Sequence, residues 1–135
     1  MKTWREKLRE GSHHKKRPGL STERARCPDR PEWLDGREAE IWDELAPELY
    51  RMGLLIEIDA SLFGLLCRNE ARIEKIIRFT KENGETYMRK YGRHKPVKKV
   101  RPETRLLFRM WDAQRTAYNK FGMNPRARYR ILGHC

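Results

Sequence analysis

A mainly α fold is what this sequence predicts: three to four helices, with a short β-hairpin or extended basic loop between the second and third. Three observations point to it. Apolar residues recur every three to four positions through residues 36–52, 59–82 and 102–121, the period of a helix with one buried face. Each of those stretches stops at a glycine (Gly53, Gly84, Gly122), the residue that most readily adopts the left-handed turn after a helix. Between the last two, residues 85–101 drop the helical period and gather Thr86, Tyr87, Tyr91, Val97 and Val100 around Gly92-Arg93, a strand–turn–strand composition.

The first helix, about 36–52, opens with Asp35 and Glu38 in capping-box spacing, with Leu34 just before the cap. Trp42, Leu45, Leu49 and Met52 share its apolar face. Pro47 lies inside it, where a proline removes a hydrogen bond and crowds the preceding turn, so a kink near Asp43–Ala46 or a break into two short helices is expected. The second helix, about 59–82, has Asp59 as its expected cap and a stripe of Leu62, Leu66, Ile73 and Ile77, widened by Phe63, Ile76 and Phe79. At about 35 Å it exceeds what one small core can cover, so part of its face is expected to meet another subunit. Pro102 and Glu103 suit the first turn of a third helix running to about Phe121, with Leu107, Met110, Trp111, Tyr118 and Phe121 as its face. Asn124 then caps a short fourth helix that begins at Pro125 and carries Arg126, Arg128 and Arg130.

A chain of 135 residues bounds the answer to one domain with a tail. Residues 1–30 read as a flexible basic arm: cations including Lys15, Lys16 and Arg17 outnumber carboxylates, large apolar residues are few, and Pro18, Gly19 and Pro28 interrupt any helix. Residues 31–135 read as the helical, oligomerising core, with the basic hairpin or loop at about 85–101. The hydrophobic fraction is 38% and the charged fraction 37%, so that core must be small and concentrated. Cys27, Cys67 and Cys135 are too widely spaced for a Cys-x-x-Cys pair, and Cys67 beside Leu66 reads as a small buried hydrophobe in a reducing compartment.

The formal net charge of +12 speaks to partners rather than to fold. Nucleic acid fits best, because Lys and Arg displace the counterions condensed on phosphates; an acidic protein surface is the competing partner. No apolar run reaches the length of a membrane span, so no membrane is expected. The densest charge lies at Arg89, Lys90, Arg93, Lys95, Lys98, Lys99 and Arg101, opposed by Glu85 alone. Those residues, together with Lys15, Lys16 and Arg17 of the arm, are the candidate DNA contacts, with Tyr87 and Tyr91 placed to touch backbone or bases. Trp33, Trp42 and Trp111 sit at positions that favour packing over base stacking.

Catalytic patterns are missing. There is no Gly-rich phosphate loop, no Gly-x-Ser-x-Gly and no His-Glu-x-x-His; His13-His14 lacks metal-site spacing, and His94 lacks acidic company. No catalytic residue, cofactor or metal is therefore expected.

As a set, several motifs resemble the small subunit of tailed-bacteriophage terminases. They are Pro31-Glu32-Trp33-Leu34, Trp42 with Pro47, the step Gly53-Leu54-Leu55 to Asp59, and Gly122-Met123-Asn124-Pro125-Arg126-Ala127-Arg128 near the C-terminus, which is similar to a Leu-Gly-Leu-Thr-Pro-x-x-Arg ending. The resemblance covers about residues 28–132. It departs from the family pattern at Arg101-Pro102, where Asn-Pro is common, and at Asn124-Pro125, which replaces Thr-Pro with equivalent capping chemistry. The resemblance implies a non-catalytic protein of the host cytoplasm. It implies assembly into a homo-oligomeric ring, binding of double-stranded viral DNA at the packaging start site, and recruitment of the terminase large subunit that holds the ATPase and nuclease.

Alternatives remain from the residues themselves. One is a ring-forming adaptor with only secondary DNA affinity; another is a basic phage DNA-binding regulator or nuclease. A helix-turn-helix built on the first two helices would place Glu57 and Asp59 where phosphate approaches, which opposes it.

Overall fold

The structure, a computed structural model, describes residues 26–133. Most of the basic arm, with Lys15, Lys16 and Arg17, lies outside the described residues, as do His13, His14 and Cys135. The described elements are α1 (Gly36–Arg51), a 3-10 turn (Glu57–Asp59), α2 (Ala60–Asn83), β1 (Thr86–Arg89), β2 (Val97–Val100), α3 (Pro102–Lys120) and α4 (Pro125–Leu132). The strands pair antiparallel as a two-stranded hairpin between α2 and α3, with Thr86 opposite Val100 and Arg89 opposite Val97.

The core forms where the N-terminal half of α2 meets α1 and the C-terminal end of α3. Phe63 is its centre: its ring lies 5.0 Å from Trp42 of α1 and 5.3 Å from Phe121 at the end of α3, centroid to centroid. Leu49, Leu55, Leu66, Cys67 and Ala71 close around these rings, all buried. Burial and the neighbouring Glu70 push the Cys67 thiol up to about 12 from its ordinary 9.0.

Two helix ends are set by local chemistry. After α1, Gly53 takes a φ of +74°, its N–H donating to Tyr50 O at 2.9 Å while Leu54 N–H donates to Leu49 O at 2.8 Å. That is the paired C-terminal closure of a Schellman motif, and it turns Leu54 and Leu55 back into the core. The end of α3 repeats it: Gly122 N–H donates to Asn119 O and Met123 N–H to Tyr118 O. Asn124 caps α4 as expected, its Oδ1 accepting from Ala127 N–H at 2.8 Å.

Several details differ from the sequence expectation. Asp35 stands at the N-cap of α1 without a side-chain cap bond, and Glu38 faces Arg68 of α2 at 3.3 Å instead, so the capping box does not form. Of the two outcomes expected at Pro47, the break into two short helices is not seen, since α1 runs through it; Asp43, whose carbonyl loses its partner, is exposed to water. Asp59 ends the 3-10 turn and stands at the N-cap of α2 as expected, but its side chain makes no cap bond. Met52 passes beyond the last turn of α1 and is exposed, and Leu62 is 45% exposed because the buried stripe of α2 follows Phe63, Leu66, Cys67 and Ala71. Trp111 also lies outside the core: α3 buries Thr104, Leu107 and Gln114.

Polar contacts fix the helices relative to one another. Gln114 Nε2 donates to Leu66 O at 2.9 Å and to Glu70 Oε2 at 2.8 Å, and Tyr118 OH donates to the same carboxylate. Burial first, and the bond to Glu70 second, hold the Tyr118 phenol above its ordinary range. On the other side of α2, Arg37 of α1 donates from Nε to Glu74 at 2.9 Å and from Nη1 to Glu40 and Glu44. Its hydrogen bond first, and its charge after that, hold the Glu74 carboxyl below its usual range.

Candidate nucleic-acid interface

The hairpin projects from the end of the α2–α3 pair, and every residue from Met88 to Val100 is exposed. Its two faces follow from the pairing. Tyr87, Arg89, Val97 and Lys99 share one face; Thr86, Met88, Lys98 and Val100 share the other. Lys90, Arg93 and Lys95 lie in the connecting loop, where His94 N–H donates to Tyr91 O at 3.0 Å to close a turn. Arg89 is packed over Tyr91, 4.9 Å from guanidinium to ring centroid.

Arg101 occupies a different position from the other candidate contacts. It precedes α3, and its guanidinium donates from Nε to Gly84 O and from Nη2 to Asn83 O, both at 2.9 Å. It also lies 5.8 Å over the Tyr87 ring and 6.0 Å from that of Phe79. The side chain thus ties the base of the hairpin to the last carbonyls of α2, with Thr104 Oγ1 donating to Glu85 O beside it. Tyr87 is half-buried beneath Arg101, whereas Tyr91 stays 41% exposed.

The hairpin therefore brings Arg89, Lys90, Arg93, Lys95, Lys98 and Lys99 onto one narrow, exposed element, and none of them makes an ion pair among the described residues. Elsewhere Arg30, Arg37, Arg51, Arg68 and Arg115 are each matched to a carboxylate. A two-stranded ribbon of this kind is narrow enough to enter a DNA major groove of about 12 Å, and its unmatched cations can replace phosphate counterions.

A second cationic surface escaped assignment from sequence. Arg126 and Arg130 of α4, with Asn119 and Asn124, line a cavity of about 290 Å³. The alternating arginines were visible; that Arg126 and Arg130, one turn apart, share an opening with the end of α3 depends on the turn at Gly122. Arg128 points elsewhere and donates to Gly122 O at 3.2 Å. Glu57 and Asp59 do stand at the start of α2, where a recognition helix would present donors to phosphate.

Among the described residues no cluster of three or more His, Cys, Asp or Glu side chains is placed to hold a metal ion, and no helix is long and apolar enough to cross a membrane. No curated protein and no solved structure matches the chain. The family model of the phage terminase small subunit matches residues 39–134, a stretch that runs from α1 through the hairpin to α4 and takes in most of the chain. The chain belongs to the phage terminase small-subunit family.

Proposed function

We propose that this protein initiates phage DNA packaging by binding the viral genome at its packaging site, assembling into a ring and recruiting or regulating the large ATPase–nuclease subunit. Family membership supports the packaging role in general and a part that is not itself catalytic. It acts in the cytoplasm of the infected host cell. The observation that carries DNA binding is the projecting hairpin, whose cations from Arg89 to Lys99 lack carboxylate partners among the described residues. Lys15, Lys16 and Arg17 of the arm add to the same electrostatic footprint.

The test combines native mass spectrometry with a shift assay on double-stranded DNA from the phage genome ends. A ring that retards DNA at moderate salt, with no ATP hydrolysis and no metal-dependent cleavage, is the expected outcome. A ring that leaves DNA free would favour the adaptor reading, in which docking to the large subunit dominates. Metal-dependent cleavage by the purified chain would overturn the non-catalytic assignment.

A further inference from the structure

α3 carries apolar side chains on two opposite flanks. Its buried residues are Thr104, Leu107 and Gln114. At 3.6 residues per turn, Leu106 and Met110 fall to one side of that stripe and Phe108 to the other; Trp111 has the spacing of the stripe itself, but its ring stands at the edge on the Phe108 side, in contact with that ring. Exposure agrees: Leu106 is 48%, Phe108 56% and Trp111 42% exposed. One chain cannot bring these flanks together, because its own core lies between them.

The flanks differ in shape. On the first, Leu106 and Met110 join Asn69, Arg72, Lys75 and Ile76 of α2 around an open groove of about 410 Å³. On the second, Phe108 and Trp111 stand edge to face, ring centroids 5.7 Å apart, as an aromatic knob. Asp112 flanks the knob and is paired with its near neighbour Arg115. Arg72 and Lys75 on the groove have no carboxylate partner among the described residues.

We propose that these are the two halves of one interface between copies of this chain, with the Phe108–Trp111 knob of one subunit seated in the α2–α3 groove of the next. This rests on the self-association proposed above and names the surface that carries it. Exposed aromatic side chains are the largest source of apolar area such a contact can remove from water. The chemistry is complementary as well. Arg72 and Lys75 meet the electron-rich ring faces of the knob, and the chain already stacks a cation on an indole at Arg68 and Trp33, 4.5 Å apart. Because knob and groove are different surfaces on opposite flanks, the contact is head-to-tail, so each subunit passes the contact on and a ring forms when the rotation closes.

Two full-length variants test this by native mass spectrometry at low micromolar concentration. One lacks the knob (Phe108→Ala with Trp111→Ala); the other fills the groove (Asn69→Lys with Leu106→Lys). The wild-type chain is expected to be oligomeric and each variant alone monomeric with wild-type helical circular dichroism. Mixed in equal amounts, the variants are expected to form a one-to-one dimer and nothing larger, since one retains a groove and the other a knob. That dimer also shows that both are folded. Trp111→Ala alone is expected to weaken association at least tenfold, as removal of a central aromatic anchor does. Variants that keep the wild-type mass, or a mixture that stays monomeric, would overturn this interface while leaving self-association intact. A monomeric wild-type chain would overturn self-association itself.

Discussion

Arg101 donates from Nε to the carbonyl oxygen of Gly84 at 2.9 Å, joining the residue before α3 to the residue after α2. This contact separates two kinds of cation in the same basic segment. Arg101 holds the hairpin to the helices, whereas Arg93, Lys95, Lys98 and Lys99 extend into solvent on it. Replacing Arg101 by Ala removes two charge-assisted bonds to backbone carbonyls and is expected to lower stability by about 1–2 kcal/mol. Urea denaturation monitored by circular dichroism measures it. Arg93→Ala, by contrast, should leave the midpoint within about 0.5 kcal/mol of wild type.

Gly64 is the floor on which Trp33 rests. A Cβ added there would lie 2.7 Å from Trp33 Cη2 and 2.9 Å from Cζ2, too close for the indole to stay in place. Trp33 is also held by Arg68, which stacks on its ring and donates to its carbonyl oxygen at 2.8 Å. Gly64→Ala gains about 1 kcal/mol of helix propensity but loses about 1–3 kcal/mol to overpacking, so a net loss of stability is expected. In the background of Trp33→Ala the same substitution should become stabilising, and a double-mutant cycle reads the reversal.

The fold was legible where punctuation and period agree. The glycines after α1 and α3, the Asn124 cap and the hairpin around Gly92-Arg93 all follow from local chemistry, and all are present. What was not legible depends on tertiary partners. Glu38 has capping-box spacing, but Arg68 from another helix takes its carboxylate. Trp111 fits the apolar period of α3, yet the polar Gln114 takes the buried place because Leu66 O and Glu70 are there to receive its amide. Within the candidate interface, sequence grouped Arg101 with the other cations; its commitment to Asn83 and Gly84 required the antiparallel return of the chain.

Cys67 makes stability depend on alkaline pH. Its thiol is held up to about 12 in the fold against an ordinary 9.0, so above pH 9 the unfolded chain releases this proton first. Its contribution to stability is fully present below about pH 9 and is lost as pH rises toward 12, by at most about 1.4 kcal/mol per pH unit. Cys67→Ala is expected to flatten that decline in urea titrations. In the native protein, half-buried Cys27 should react with a thiol reagent well before buried Cys67.

Glu74 gives the acid counterpart. Arg37 lowers its pKa in the fold, so its contribution is present above the ordinary glutamate value and is lost as pH falls through the lowered one. Glu74→Gln is expected to reduce stability at neutral pH and to make the acid limb shallower. The loss should be modest because both side chains are partly exposed, with relative accessibilities of 41% and 35%.

In the function proposed above, the hairpin grips DNA through its phosphates. The measurement is the slope of log affinity against log salt for a double-stranded fragment, compared between the wild-type chain and a variant with Arg93, Lys95, Lys98 and Lys99 all replaced by Gln. Each lost phosphate contact flattens that slope by about 0.9. The slope is expected to be shallower by about 3–4 in the variant, with an unchanged urea midpoint. A slope equal to that of wild type would show that the hairpin does not carry the DNA.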